Sequence, residues 1–376
     1  MKPGDDPMID PTLITRRTIG KLMLGLLVAP AMGCAARAES LPADLDNATI
    51  RGLIDAAKAA GETEVFTYGM PDEWANYGGM AAELAKMTGA KRYDIDMGSA
   101  VVLQRMTEEN AAKNDLADLK PSFARRLAEA GLTADYKVID WEKIPADQRG
   151  TGKDGSVWQA GYKGTLGFIV NTTVVKEVPK SWADLKNPAL KGLVSYLDPR
   201  STGTGVITVL SAALATSGDA YNVKAGVDFL KSLHDAGNIA KVDPTVTTAD
   251  FERGEVGVLI NFDYNLLNWA NRYTFGTQVV IPADGTLSSG GGIIAAKNAP
   301  HPNLARLFLE LMLSQTGQSL LAASFVSPIR PDVTLPAEIA AKYPAAEAYA
   351  KAQFVDYDRE AAVSEEVKTL YGATIQ

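Results

Sequence analysis

Apolar and polar positions along the chain alternate in short blocks, and these blocks predict strands and helices in turn. Residues 47–60 have the spacing of an amphipathic helix, and the apolar run at residues 64–68 is typical of a buried strand. A second helical pattern ends at Gly89, and a second strand follows over residues 92–97. This order predicts parallel strands with a right-handed crossover, and ligand-binding loops at the carboxyl ends of the strands.

Two long strand patterns interrupted by glycines lie further along the chain, at residues 157–171 and 277–295. Between them the pattern predicts an α/β unit with helices at residues 206–216 and 225–235, and helical patterns return from residue 302 onwards. Two strands of this length can join two lobes as a hinge, so that the cleft between the lobes closes on a ligand. The pattern therefore predicts a two-lobed α/β protein.

A polar cluster at residues 198–205, Asp-Pro-Arg-Ser-Thr-Gly-Thr-Gly, separates a strand pattern from a helix pattern. The first N–H groups of a helix lack intrahelical acceptors and favour an anion, and Gly203 and Gly205 leave room for a ligand to approach the backbone. In the alternative interpretation, Ser201 or Thr204 only caps the helix. The cluster is thus either part of an anion-binding site or a helix cap.

The N-terminus has the layout of an export signal. Arg16 and Arg17 precede an apolar run at residues 22–32 that is too short to span a bilayer, and residues 36–38 form a small-x-small cleavage signal. The paired arginines resemble a bacterial twin-arginine signal, which predicts export to the periplasm in a folded state and removal of the first 38 residues. The alternative is a lipoprotein site, in which Cys34 is acylated and anchors the protein to a membrane.

Charge and cysteine content narrow the function classes. Cys34 is the only cysteine of 376 residues, so its removal with the signal would exclude disulfides and thiolate chemistry. The formal net charge is −8, and the signal segment is itself positive, which leaves an acidic mature protein. An acidic surface argues against nucleic acids and anionic membranes as partners. The length suggests two domains with a large apolar core.

Several motifs in this order resemble the extracellular solute-binding proteins of bacterial ABC transporters. The resemblance covers nearly all of residues 55–318 and is strongest to the branch of ferric-ion, 2-aminoethylphosphonate and spermidine/putrescine binding proteins. The motifs that carry it are the export signal, residues 64–68, residues 178–185 with a helix capped by Ser181, residues 198–205, residues 251–255 and Gly290-Gly291-Gly292.

The resemblance implies the type II periplasmic binding protein fold, in which two α/β lobes are joined by two crossover strands around a ligand cleft. It divides the chain into an export signal at residues 1–38, a first lobe at residues 39–165 plus 284–376, and a second lobe at residues 166–283. One departure is that the third strand, near residues 115–121, looks shortened and lacks its usual loop into the cleft. This departure counts against a ligand contact from that region.

The resemblance also implies four loops that line the cleft. Trp74 could stack on a ligand and Asp72 could pair with an amine, while the alternative roles of these loop residues are helix capping and core packing. The candidate ligand-binding residues are Tyr68, Asp72, Trp74, Ser99, Ser201, Thr202, Gly203, Thr204, Asp263, Tyr264 and Asn265.

These candidates favour opposite ligand charges. The helix start favours phosphonate, phosphate or carboxylate, while Asp72 and Asp263 with Trp74 favour an amine. A small amine-bearing or zwitterionic solute satisfies both, and we rank a polyamine second. Ferric ion ranks third, because Tyr264 lacks the adjacent tyrosine that the ferric-binding relatives use as a second phenolate ligand. An envelope scaffold that has lost solute binding is a further alternative.

No sequence feature predicts catalysis. The only histidines, His234 and His301, have neither metal-ligand nor triad spacing, and no nucleophile-elbow or phosphate-loop motif occurs. We therefore predict a binding protein without catalytic residues, cofactor or metal site. As partners we expect a small solute and an ABC permease of the inner membrane, with no nucleic acid, and we expect the protein to be a monomer.

Overall fold

The computed structural model describes residues 41–245 and 248–375. The residues of the export signal and Cys34 lie outside this described part. The strands are β1 Glu64–Tyr68, β2 Lys91–Ile95, β3 Leu116–Leu119, β4 Arg149–Thr151, β5 Val157–Asn171, β6 Val194–Leu197, β7 Ile239–Asp243, β8 Val258–Phe262, β9 Thr277–Val280, β10 Thr286–Ala295, β11 Ser327–Pro328 and β12 Ala352–Phe354. The α-helices are α1 Ala48–Ala60, α2 Tyr77–Thr88, α3 Ser99–Glu108, α4 Pro121–Glu129, α5 Gly203–Ser217, α6 Val223–Asp235, α7 Ala249–Glu252, α8 Asp263–Arg272, α9 Pro302–Leu313, α10 Gln315–Ala323, α11 Ala337–Ala340 and α12 Tyr357–Thr374.

The strands form one curled sheet in the order β2-β1-β3-β10-β5-β8-β6-β7. We call β2, β1, β3 and β10 the first half and β8, β6 and β7 the second half. Within each half the β1–β2, β1–β3, β6–β7 and β6–β8 pairs are parallel, whereas β10 runs antiparallel to β3 and β5. Strand β5 belongs to both halves, because Thr165 pairs with Ser288 of β10 and Leu166 pairs with Phe262 of β8.

Each half of the sheet has its own hydrophobic core. Val65 and Ile293 pack with α1, α2 and α9 on the first half, and Phe168 and Leu210 pack with α5 and α6 on the second. The last helix, α12, places Val367 and Tyr371 in this second core. The lobe boundaries remain a proposal, and the packing of α12 argues for assigning residues 355–375 to the second lobe instead of the first.

One local prediction needs correction, and the short third strand without a loop after it is present as predicted. Ser181 Oγ does accept from Asp184 N at 3.1 Å, but the helix that it caps is only the 3₁₀ turn Ala183–Lys186, which ends before Pro188. The third strand is present as β3, fully buried between β1 and β10, and α4 follows it after the single residue Lys120.

The two glycines at the start of α5 have different surroundings. A Cβ on Gly205 would lie 2.5 Å from Leu197 O and 2.5 Å from Pro199 N, so the backbone itself fills the space. A Cβ on Gly203 would meet only the flexible end of Lys120, at 2.7 Å from Nζ. Gly205 is therefore needed for close packing of the helix against the strand. At Gly203 a side chain would meet only the flexible end of Lys120, which can move away.

We expect Gly205→Ala to lower the free energy of unfolding by about 1–3 kcal/mol, because overpacking forces a backbone shift. Gly203→Ala is the matched control, and its stability should stay close to that of the unmodified protein because the lysine can move. Urea denaturation followed by circular dichroism measures both midpoints. Equal losses in the two variants would contradict the packing role of Gly205.

Candidate functional site

A cavity of about 280 Å³ is lined by residues from both halves of the sheet and from α12. The volume lies near the lower end of the roughly 300–1,000 Å³ that small-molecule pockets occupy. Its lining combines three features, which are the N-terminal turns of α3, α4, α5, α8 and α12, a group of aromatic side chains and three charged side chains. These features determine what the cavity can bind.

Helices α3, α4 and α5 all begin at the cavity, with Ser99, Ser122 and Gly203 in its lining. Each helix follows the carboxyl end of a strand that has a parallel neighbour. Because β6 runs antiparallel to β2 and β3, the helix starts of the two halves face the cavity from opposite directions. Ser99 Oγ accepts from Lys120 N at 3.0 Å and so links α3 to α4. The first N–H groups of these helices lack intrahelical acceptors, and their dipoles give the cavity a positive electrostatic potential.

Lys120 adds a full charge to this positive region. It occupies the N-cap position of α4, and its Nζ lies over Gly203 at the start of α5. In the part of the chain that the structure describes, this ammonium forms neither a hydrogen bond nor an ion pair. A cation beside a helix N-terminus is the reverse of the favourable placement, and a bound anion would relieve that repulsion.

Aromatic rings form another part of the cavity lining. Trp74 Nε1 donates to Tyr162 Oη at 3.2 Å, and the ring of Trp74 meets that of Tyr264 edge-on at 5.0 Å. Tyr264 in turn stacks on Phe262 at 5.4 Å. The ring of Tyr162 lies against Gly291, where a Cβ would come within 2.0 Å of its Cζ atom. A ring face in this wall can accept an apolar or cationic group.

Asp118 lies buried beneath the aromatic wall. Its Oδ2 accepts from Tyr77 Oη at 2.7 Å and from Tyr162 Oη at 2.8 Å. Burial raises the pKa of Asp118 to about 7, although the hydrogen bonds from the tyrosines favour the ionised form. The carboxyl group thus holds Tyr162 in place and changes charge near neutral pH.

The N-terminal turn of α12 completes the lining. Tyr357 Oη accepts from Gly290 N at 2.9 Å and donates to Gln148 Oε1 at 3.0 Å, which fastens the helix to β10. One turn on, Glu360 reaches the cavity. Burial raises the pKa of this carboxyl group, while the nearby Lys120 lowers it.

Five of the predicted site residues line this cavity. They are Trp74, Ser99, Gly203, Thr204 and Tyr264. Thr202 lies just outside it, where its Oγ1 accepts from Gly205 N at 3.0 Å as the cap of α5. Ser201 is exposed and also lies outside the lining. At the start of α5, the capping role therefore belongs to Thr202, whereas Gly203 and Thr204 line the cavity and their contact with an anion stays a prediction.

Four other predicted ligand contacts need correction, because their polar groups are bound elsewhere. Tyr68 Oη donates to Glu109 Oε2 at 2.7 Å, and burial together with that carboxylate raises the pKa of Tyr68 to about 12. Asp72 forms an ion pair with Arg92, whose side chain is buried and also donates to backbone and hydroxyl oxygens of the first half.

The other two corrections concern the loop at the start of α8. The carboxylate of Asp263 is fully buried and points to β5, where it accepts from Thr165 N at 2.9 Å and from Tyr349 Oη at 3.2 Å. Asn265 Nδ2 donates to Asn261 Oδ1 at 2.9 Å. Both side chains therefore stabilise the loop, and only Tyr264 between them faces the cavity.

The sequence analysis missed the segment from Asp118 to Ser122 as well as Tyr357 and Glu360. The rule that ligands bind beyond the carboxyl ends of parallel strands would have identified Lys120, which directly follows β3. In the sequence the shortened connection counts against a ligand contact from this region, but in the structure the connection itself lines the cavity. Glu360 lies more than 60 residues beyond β10, and no local pattern connects it to the site.

Within residues 41–245 and 248–375, no three or more His, Asp or Glu side chains are grouped so that they could hold a metal ion. Over the same residues, no helix combines the length and the apolar character needed to cross a membrane.

The pKa of Asp118 predicts a pH-dependent stability. Between pH 4 and 7 the folded protein keeps this proton while the unfolded chain loses it, so the group's contribution to stability falls as the pH rises. The full loss is about 4 kcal/mol, since one pKa unit corresponds to about 1.4 kcal/mol. Urea unfolding across this range should show that the advantage of the unmodified protein over Asp118→Asn shrinks steadily as the pH rises. Parallel profiles for the two proteins would contradict the raised pKa.

Comparisons with known proteins agree with this architecture. A sequence profile of the family "Bacterial extracellular solute-binding protein" matches residues 113–361. An uncharacterised protein of Haemophilus influenzae is 36% identical over 203 residues, which cover 51% of this chain and 56% of that protein. A protein of Salmonella typhimurium, provisionally described as a 2-aminoethylphosphonate-binding periplasmic protein, is 25% identical over 66% of this chain and 72% of its own length.

Solved structures show the same fold. An extracellular solute-binding protein, provisionally assigned, from Bordetella parapertussis superposes with a TM-score of 0.72 at 14% identity, covering 84% of this chain and all of that one. The periplasmic binding protein AfuA from Actinobacillus pleuropneumoniae, solved with fructose-6-phosphate, gives a TM-score of 0.61 at 22% identity over 83% of this chain and 97% of its own. The chain therefore belongs to the bacterial extracellular solute-binding proteins and has the type II periplasmic binding protein fold.

Proposed function

We propose that this protein is the substrate-binding receptor of an ABC importer. It captures a small amine-bearing or zwitterionic organic solute in the cavity between its two lobes and delivers the solute to a permease of the inner membrane. Membership of the solute-binding family and the similarity to the Salmonella protein support this assignment. The charged residues that line the cavity support a solute that carries both a positive and a negative group.

The main support for an anionic group in the solute is the positive region formed by Lys120 and the N-termini of α3, α4 and α5. Free N–H groups of several helices can each donate to one oxygen of a tetrahedral or carboxylate anion. The Lys120 ammonium supplies the charge, and a hydrogen bond to a charged group is about twice as strong as one between neutral groups. A phosphonate, phosphate or carboxylate group therefore fits this end of the cavity.

The same observations count against the alternative ligands. A polyamine would place a cation near Lys120, and the carboxylates of Asp72 and Asp263 that were expected to bind it are engaged by other groups. Ferric ion needs phenolate ligands, but burial raises the pKa of Tyr264, which disfavours the phenolate.

Export completes the proposal. The Arg16-Arg17 signal would send the folded protein to the periplasm, with cleavage after Ala38, and acylation of Cys34 is the alternative that would anchor it to a membrane. The relatives named above are periplasmic or extracellular binding proteins. A monomer that opens and closes about β5 and β10 is sufficient for this role.

Thermal denaturation with 2-aminoethylphosphonate, β-alanine and phosphoethanolamine tests the proposal. At a ligand concentration of about 100 Kd, binding adds about 2.7 kcal/mol to the stability of the folded state, so one of these solutes should raise the melting temperature by several degrees. Putrescine and ferric citrate should have a smaller effect. If none of the three zwitterions raises the melting temperature, the proposed solute class is wrong.

Lys120→Met should abolish this thermal shift, because it removes the cation that binds the anionic group. Lys297→Met is the matched control, since Lys297 is exposed and lies outside the cavity lining, and it should keep the full shift. Melting without ligand checks that both variants fold. If Lys120→Met responds to the solute as strongly as the control, the anion is bound elsewhere.

A further inference from the structure

We propose that Glu360, at the start of the last helix, binds the ammonium group of the solute. The proposal rests on the proposed function and deepens it, because it assigns each end of a zwitterion to its own residue. In this arrangement the first turn of α12 is part of the ligand site and does more than pack against the second core.

The carboxylates near the cavity differ in their partners. Asp118 accepts from two tyrosines, Asp263 accepts from Thr165 N and Tyr349 Oη, and Asp72 is paired with an arginine. Glu360 is different, because across the described ranges its side chain forms neither a hydrogen bond nor an ion pair. It therefore has its full capacity to accept hydrogen bonds from a ligand.

The first turn of α12 is held firmly enough to place this side chain. Asp358 is paired with Arg125 of α4, and Arg359 donates to Asp219 at 3.2 Å on the other side. Arg359 also stacks over the ring of Tyr221, at 4.1 Å from its centroid. Together with the Tyr357 hydrogen bonds described above, these contacts fix the turn against both halves of the molecule.

Lys120 and Glu360 together present one unpaired cation and one unpaired anion to the same cavity. They are close enough for the lysine to lower the pKa of the glutamic acid, yet they are not within ion-pair distance of each other. A solute with both charges satisfies both side chains. A simple anion would leave Glu360 as a repelling neighbour, and a simple cation would be repelled by Lys120. Trp74 and Tyr264 offer ring faces for the short chain between the two charges.

The chemical class that fits is a small solute with an ammonium group at one end and a phosphonate, phosphate or carboxylate at the other. Three matched pairs of probes isolate the amine. These pairs are 2-aminoethylphosphonate with ethylphosphonate, phosphoethanolamine with ethyl phosphate, and β-alanine with propionate. Isothermal titration calorimetry of each pair gives a ratio of affinities that reports the contribution of the ammonium group alone.

For the pair that the unmodified protein binds, we expect the amine-bearing member to bind at least about 10-fold more tightly. Glu360→Gln should lower the affinity for that member by about 10- to 100-fold, because a hydrogen bond between charged groups is lost. Its affinity for the partner without the amine should stay the same or rise slightly, so that the ratio falls towards one. Glu366→Gln, an exposed position on the same helix, is the control and should leave the ratio unchanged.

The possible results separate the two proposals. If the unmodified protein prefers the amine and Glu360→Gln, folded by its melting curve, keeps the same ratio, the role of Glu360 is wrong while the proposed function stands. A preference for the members without an amine would overturn both the assignment of Glu360 and the amine-bearing solute class, and would leave only the role as a receptor for an anionic solute. If no member of any pair binds, both the proposed function and this inference are wrong.

Discussion

The whole structure depends on the register of β5, which hydrogen-bonds to both halves of the sheet. The change of partner between Thr165 and Leu166 joins the two cores through one continuous strand. A shift of one residue would turn every side chain of β5 to the other face, so the register also fixes the position of Tyr162 in the cavity wall. Thr165 N is bound to the carboxylate of Asp263, which ties the loop that carries Tyr264 to the same strand. The join between the two halves and the position of the aromatic wall thus both depend on the contacts of this one strand.

The positive end of the cavity follows from topology more than from any single motif. Strands β2, β3 and β6 are each followed by a helix, and because β6 runs antiparallel to β2 and β3, the N-termini of these helices face the cavity from the two halves of the sheet. Residues 198–205 supply one of the three helix starts. The shortness of the connection after β3 is what lets Lys120 reach across to Gly203, because a longer loop would have carried this lysine away from the start of α5.

Local patterns in the sequence predicted the elements and the two-lobed plan, since strand and helix periodicity and helix-ending glycines act over short distances. Residues 64–68 and 157–171 were predicted with the bounds that the structure gives. The same reasoning could predict which loops reach the cleft, but not which side chains face it. Asp72 and Asp263 look like ligands in the sequence, and only the positions of Arg92 and Thr165, distant along the chain, show that both carboxylates are engaged.

A site of this kind is defined by which polar groups are left without partners after folding. Burying a charge without a partner is costly, so folding pairs most charged side chains that leave the solvent. At the cavity, Glu360 is the half-buried exception and Lys120 is exposed but also unpaired, and they come from the two segments that the sequence patterns indicated least, a one-residue connection and the last helix. Glu360 has lost part of its hydration without gaining a protein partner, whereas Lys120 remains exposed, so the larger gain from a ligand of opposite charge is at the carboxylate. The unpaired charges therefore define the ligand more narrowly than the residues that merely line the cavity.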